Sequence, residues 1–68
     1  MMEYYRIVVD TWRFFKWFEP KAENTEKFFG AVLAAASKIA DRYPEHKEFA
    51  TGILLAFVEE LRRIGEAK

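Results

Sequence analysis

The charged positions of the first eighteen residues fall on one stripe of a helix. The stripe is spaced by three and four residues, where opposite charges can pair, and consists of Glu3, Arg6, Asp10 and Arg13. The apolar and aromatic residues around it would cover an arc of roughly 220°, about twice the arc that a surface helix buries. The pattern predicts a helix over about residues 3–18. Its surplus apolar surface would face a second helix, another copy of the chain, a ligand or a membrane.

Two later segments repeat apolar residues at the same spacing, which is typical of one helix face. The repeat in a helix predicted over about residues 26–42 consists of Phe28, Val32, Ala35, Ala36, Ile39 and Tyr43. The repeat in a helix predicted over about residues 45–64 consists of Phe49, Ile53, Ala56, Phe57, Leu61 and Ile64. Pro20 and Pro44 separate the helices, because proline disfavours helical geometry at the residue before it. The chain is predicted to be one all-α domain over residues 1–68, a three-helix bundle.

Small and polar residues indicate where these helices end. Asn24 or Thr25 is expected to cap the start of helix 2, because its side-chain oxygen can accept a free backbone N–H. Gly65 is expected to be the C-terminal cap of helix 3.

A glycine and an alanine lie one turn apart in each of helices 2 and 3. The pairs are Gly30 with Ala34 and Gly52 with Ala56. Because small residues let two backbones approach closely, we expect helices 2 and 3 to meet along these faces. The alternative is that two short apolar strings resemble each other by chance.

The size of the chain favours association. It has 68 residues, no cysteine and one histidine, so neither disulfides nor the usual structural zinc sites can stabilise it. A chain this short buries only about 60% of the surface that its unfolded form exposes. Its 26 apolar or aromatic residues other than alanine exceed the about 20 core positions of three amphipathic helices. We therefore expect a homo-oligomer.

The two apolar sides of helix 1 have different predicted neighbours. A heptad-like seam predicted to face helices 2 and 3 consists of Tyr5, Val8, Trp12 and Phe15. Four other residues of helix 1 point away from this seam or lie on the charged stripe. We expect them to bind a second copy or another protein, and they are Ile7, Phe14, Trp17 and Phe18. The alternative is a central helix 1 that is buried on every side. Membrane adsorption is disfavoured, because the polar stripe is charge-balanced rather than rich in lysine.

The charges and polar residues carry no catalytic pattern. Eleven basic and eleven acidic residues cancel, so no net field would attract nucleic acid or anionic lipid. His46 stands in the first turn of helix 3, and the chain has neither a second histidine nor a cysteine that could join it in a metal site. We therefore expect no metal site, no cofactor and no enzymatic activity. The alternative function is an oligomeric binder of a small anionic or nucleotide-like ligand, with an aromatic ring for stacking and with Arg42, Arg62 and Arg63 for the anion.

The chain shows neither a leader nor a membrane-spanning pattern. No basic start is followed by a clean apolar run. The longest uncharged run, residues 49–58, is about half the length of a membrane span. We expect an intracellular, cytoplasmic protein.

Three segments of the chain resemble segments of known small proteins. They are the aromatic opening at residues 11–18, the end of the middle helix at residues 40–43 and the closing apolar segment at residues 49–61. Together they resemble small uncharacterised helical proteins encoded by phages and prophages of Gram-positive bacteria. The resemblance implies an accessory protein that binds a host factor, a nucleic-acid-processing complex or a defence component, and so a binding or anti-defence role.

Overall fold

The computed structural model describes residues 2–68 and consists of three α-helices. Helix α1 spans Met2–Phe18, α2 spans Glu26–Asp41 and α3 spans Lys47–Ala67, with short 3-10 turns at Glu19–Lys21 and Pro44–His46. The described residues contain no strand. The predicted all-α three-helix bundle is confirmed.

Local side chains set the helix ends. The hydroxyl oxygen of Thr25 accepts a hydrogen bond from the backbone N–H of Phe28 at 3.1 Å, which makes Thr25 rather than Asn24 the N-cap of α2. Pro44 begins a separate 3-10 turn, so α3 begins at Lys47 and not at residue 45.

Gly65 lies inside α3 and does not end it. The helix continues to Ala67, and no glycine among the described residues has a positive φ. A Cβ atom at Gly65 would lie 2.9 Å from the backbone carbonyl carbon and oxygen of Glu23. The predicted C-cap role is therefore wrong, and the glycine instead lets α3 approach the backbone between α1 and α2.

The core takes the side of α1 that the sequence pattern assigns to a partner. Ile7 and Phe14 are buried, at 0% and 5% exposure, with Thr11 between them. The buried hydroxyl of Thr11 donates a hydrogen bond to the backbone oxygen of Val8 at 3.0 Å, so burial leaves it paired. Tyr5 and Val8, from the predicted inner seam, are 71% and 49% exposed. The predicted orientation of helix 1 is wrong.

Contacts with the residues just after α2 accompany this orientation. The carboxylate of Asp10 accepts a hydrogen bond from the hydroxyl of Tyr43, and its Oδ2 lies 3.8 Å from Nη1 of Arg42. These contacts hold the charged stripe of α1 beside the end of α2. The predicted pairing of Asp10 with Arg6 and Arg13 within α1 is not found in the part of the chain that the structure describes.

The small-residue faces do not join α2 to α3. Gly30 and Gly52 are exposed, and a Cβ added at either would meet nothing within 4 Å. Ala34 and Ala56 are exposed as well. The expectation of close packing along these faces is wrong, because these four residues lie on the solvent side of their helices, away from the buried positions. The buried apolar residues are Ile7, Phe14, Ala22, Phe28, Val32, Ala36, Ile39, Ala40, Ala50, Leu54 and Leu61.

The bundle is elongated, and its Cα atoms span 38 × 16 × 15 Å. Within residues 2–68, none of the helices combines the length and the apolar character that crossing a membrane requires.

Candidate functional sites

A row of large apolar side chains remains exposed on the flank where α1 lies beside α3. We call it the aromatic face and define it by Tyr4, Tyr5, Val8, Trp12, Phe49 and Phe57. On α1, Tyr5 is 71%, Val8 49% and Trp12 51% exposed. On α3, Phe49 is 41% exposed, and Phe57 is half-buried two turns further along.

Ring contacts join the two helices along this face. The rings of Tyr4 and Phe49 meet edge to face with centroids 5.1 Å apart, and those of Trp12 and Phe57 lie 6.3 Å apart. Phe15 stacks on Phe57 at 4.8 Å. These contacts fix the ring positions before any partner arrives, so little side-chain entropy remains to be lost on binding.

A second feature is a groove of about 470 Å³ between α1 and α2, which we call the basic groove. Its floor is apolar and includes the core residues Phe14 and Ile39. Its charged lining consists of Asp10, Arg13, Lys38 and Arg42, and the exposed Trp17 lines it as well. Three cations therefore face one carboxylate.

The single carboxylate of the basic groove is already engaged. Asp10 accepts the hydrogen bond of Tyr43 and lies beside Arg42. The hydrogen bond to Asp10, followed by burial, raises the pKa of the Tyr43 hydroxyl above its usual value. Tyr43 thus stays protonated and keeps donating throughout the neutral range.

The four predicted partner-binding residues lie in different environments. Ile7 and Phe14 belong to the core, which contradicts their predicted outward position. Phe18 is half-buried, and its ring packs edge to face on Phe14 at 5.3 Å and on Phe28 at 5.9 Å, so it too points inward. Trp17 alone of the four is largely exposed, at 65%, and it lines the basic groove.

The three predicted anion-binding arginines are not brought together in one site. Arg42 lines the basic groove. On α3, Arg62 pairs with Glu59 at 2.8 Å and with Glu66 at 2.9 Å, and Arg63 pairs with Glu60. These hydrogen bonds raise the pKa of both α3 arginines and occupy the guanidinium groups. Charge patterning did not single out Arg13 and Lys38, whose position beside Arg42 depends on how α1 packs on α2.

His46 has closer neighbours than its position in the sequence suggests. Its Nε2 lies 3.3 Å from Oε1 of Glu3, and its ring centroid lies 4.7 Å from that of Tyr4. Ligand atoms of Glu3, Glu45 and His46 all lie within 4.8 Å of one another, a spacing that a divalent cation could bridge. Both carboxylates are exposed, and the cluster mainly ties the start of α1 to the turn before α3.

Comparison with family models, with curated proteins and with solved structures found no match for this chain. By its fold, the protein is a small all-α three-helix bundle. Within residues 2–68, the aromatic face carries exposed aromatic side chains and the basic groove carries an exposed tryptophan beside charged side chains.

Proposed function

We propose that the protein is a non-enzymatic helical interaction module whose docking surface is the aromatic face. The observation that supports this most strongly is the exposure of Tyr5, Val8 and Trp12, at 71%, 49% and 51%, on one side of a single helix. Large rigid rings of this kind supply much of the binding free energy in protein interfaces. The face consists of aromatic and aliphatic side chains, which suit binding better than acid–base or nucleophilic chemistry.

The total surface supports a missing partner. A compact monomeric protein of 8.1 kDa exposes about 4500 Å². This chain exposes 4969 Å², and its aromatic face includes large apolar side chains that are 41–71% exposed. Covering that surface removes it from water, which contributes about 25 cal/mol per Å² before the cost of association.

The occupant that we propose is a second copy of the chain. Tyr5, Val8 and Trp12 are spaced by three and four residues, the spacing by which two helices pack side by side. The same face on two copies can meet across a twofold axis, as in most homodimers. The net charge of zero adds no overall repulsion between them.

The size of the aromatic face predicts a weak dimer. The face is defined by six residues, whereas a standard specific interface involves about 20–30 residues a side. We therefore expect a dissociation constant of about 1–100 μM rather than an obligate dimer. The resemblance to small phage and prophage proteins adds an accessory role to the proposal, in which the dimer binds a host or defence protein.

Light scattering or native mass spectrometry over a range of protein concentrations tests this proposal. Trp12→Ala and Tyr5→Glu should each weaken self-association by about tenfold or more. The matched control is Trp17→Ala, which removes an exposed tryptophan from the same helix but outside the aromatic face. This variant should have a dissociation constant within about twofold of the wild-type value.

Circular dichroism should show unchanged helicity in all three variants, so that a lost dimer is not confused with unfolding. A wild-type chain that stays monomeric up to about 1 mM would contradict the proposed self-association. Equal weakening by Trp12→Ala and Trp17→Ala would exclude the aromatic face as the interface.

A further inference from the structure

We infer that the basic groove between α1 and α2 binds a small anionic ligand that carries a flat ring, the chemistry of a mononucleotide. This inference is independent of the proposed dimer, because the groove lies between α1 and α2 and the aromatic face lies between α1 and α3. Its volume of about 470 Å³ falls in the range of small-molecule sites, which is about 300–1,000 Å³.

The charges of the basic groove are arranged for an anion. Arg13, Lys38 and Arg42 line it. Within residues 2–68, neither Arg13 nor Lys38 has a carboxylate in ion-pair distance, although several other cations of the chain do. The one acidic group of the groove, Asp10, is engaged by Tyr43 and Arg42. A phosphate group would therefore meet two cations that have no competing partner.

Trp17 supplies the surface for a flat ring. The indole is 65% exposed, and within the described residues no other aromatic ring packs against it. The Nζ atom of Lys21 lies 3.2 Å from the indole ring centroid and so covers one face with a positive charge. A base stacking on the indole would keep its phosphate near Lys38 and Arg13, because all three side chains line the same groove.

The apolar floor favours a ligand with a ring over a bare inorganic anion. Phe14, Phe18, Ala35 and Ile39 form this floor, and an uncharged ring can displace water from it. A long nucleic acid is disfavoured, because the chain has no net charge with which to follow a phosphate backbone beyond the groove. The ligand that fits both parts is a single nucleotide.

The two tryptophans of the chain allow a sharp test by nuclear magnetic resonance. The full-length protein is labelled with ¹⁵N and titrated with adenosine monophosphate, and the indole N–H signals of Trp12 and Trp17 are followed. We expect a saturable shift of the Trp17 signal with the Trp12 signal nearly unchanged, because Trp12 lies on the aromatic face. Adenosine and inorganic phosphate, titrated separately, should each bind at least about tenfold more weakly than the nucleotide.

A pair of lysine variants tests the role of charge. Lys38→Glu should weaken binding of adenosine monophosphate by about tenfold or more, because it replaces a groove cation with an anion. Lys27→Glu changes the net charge of the same helix by the same amount, but Lys27 does not line the groove. It should change the dissociation constant by no more than about twofold.

Any one of five results would overturn this inference. The first is the absence of a saturable Trp17 shift up to about 5 mM nucleotide. The second is equal binding of adenosine and its monophosphate, and the third is equal binding of inorganic phosphate and the nucleotide. The fourth is equal weakening by the two lysine variants, since binding would then follow net charge and not the groove. An oligonucleotide that binds more tightly per nucleotide than the mononucleotide would also contradict it, in favour of a nucleic-acid surface.

Discussion

Single residues of the same type have opposite roles in this bundle, and the glycines show this most clearly. Gly65 is buried, and a Cβ atom there would meet the backbone of Glu23 at 2.9 Å. Gly30 and Gly52 lie in exposed helix interiors with open space around them. In such places glycine is a poorer helix former than alanine, because it loses more backbone entropy on folding.

Alanine substitutions should therefore change the free energy of unfolding in opposite directions at the exposed and the buried glycines. Gly30→Ala and Gly52→Ala should each raise the free energy of unfolding by about 0.5–1 kcal/mol. Gly65→Ala should lower it by about 1–3 kcal/mol, because the new methyl group must push α3 away from the backbone near Glu23. Urea unfolding followed by circular dichroism measures all three changes.

The sign of these changes is the decisive outcome. A loss of stability in Gly30→Ala or Gly52→Ala would mean that a neighbour approaches that glycine in solution. A neutral Gly65→Ala would mean that the end of α3 is not held against the loop.

At the scale of helices, the contact of Asp10 with Tyr43 and Arg42 joins α1 to the end of α2. Asp10 and Tyr43 are 33 positions apart in the sequence, and their contact lies beside the arc of α1 that faces inward. The hydrogen bond raises the pKa of Tyr43 above 10.0 in the folded protein. The protonated hydroxyl is the form that donates, so the folded state binds this proton more tightly than the unfolded state does.

This contact predicts a pH-dependent loss of stability. The contribution of the Tyr43 hydroxyl is fully present below pH 10.0, the usual pKa of tyrosine, and is lost as the pH rises through the higher value in the folded state. Tyr43→Phe should lower the free energy of unfolding at pH 7 by about 1 kcal/mol, because Asp10 loses a donor. Above pH 10 the difference between wild type and variant should shrink.

Urea unfolding of both proteins between pH 7 and pH 11 measures this difference directly. Comparison with Tyr43→Phe at each pH cancels the contributions of all groups that the two proteins share. A difference that stays constant over the whole range would show that the hydroxyl does not act through its proton.

At the scale of the whole molecule, the bundle has more apolar surface than it can bury. Among residues 2–68, eleven apolar side chains form the core of the elongated bundle, and several of the largest rings remain on the aromatic face. A monomer of this kind is expected to be marginally stable. Association through the aromatic face would then also stabilise the fold.

Thermal unfolding should consequently depend on protein concentration. If two copies dissociate as they unfold, a hundredfold rise in concentration should raise the Tm by about 5 °C, because mass action favours the dimer. Trp12→Ala should abolish most of this rise, and Trp17→Ala should retain it. A Tm that is the same at all concentrations would indicate that folding is complete within the monomer.

The sequence by itself determined the three helices and the connections between them. Pro20 and Pro44 interrupt the helical pattern whatever the tertiary packing is. Thr25 can cap α2 through contacts with its neighbours in the chain alone. These are interactions between neighbours in the chain, and they need no knowledge of the packing. The excess of aromatic residues in α1 could be recognised in the same way, since it depends only on counting side chains around one helix.

Only the tertiary structure decided which arc of α1 is buried. Both arcs are apolar, so the hydrophobic effect favours burial of either one, and the choice depends on how all three helices pack, with the contact of Asp10 and Tyr43 across 33 positions as one part of that packing. For the same reason the sequence identified Trp17 and Arg42 as binding candidates but not Arg13 and Lys38 beside them. Likewise, only the approach of α3 to Glu23 shows why Gly65 has no side chain. Periodicity describes one helix at a time, whereas a surface or a groove is defined by the packing of two.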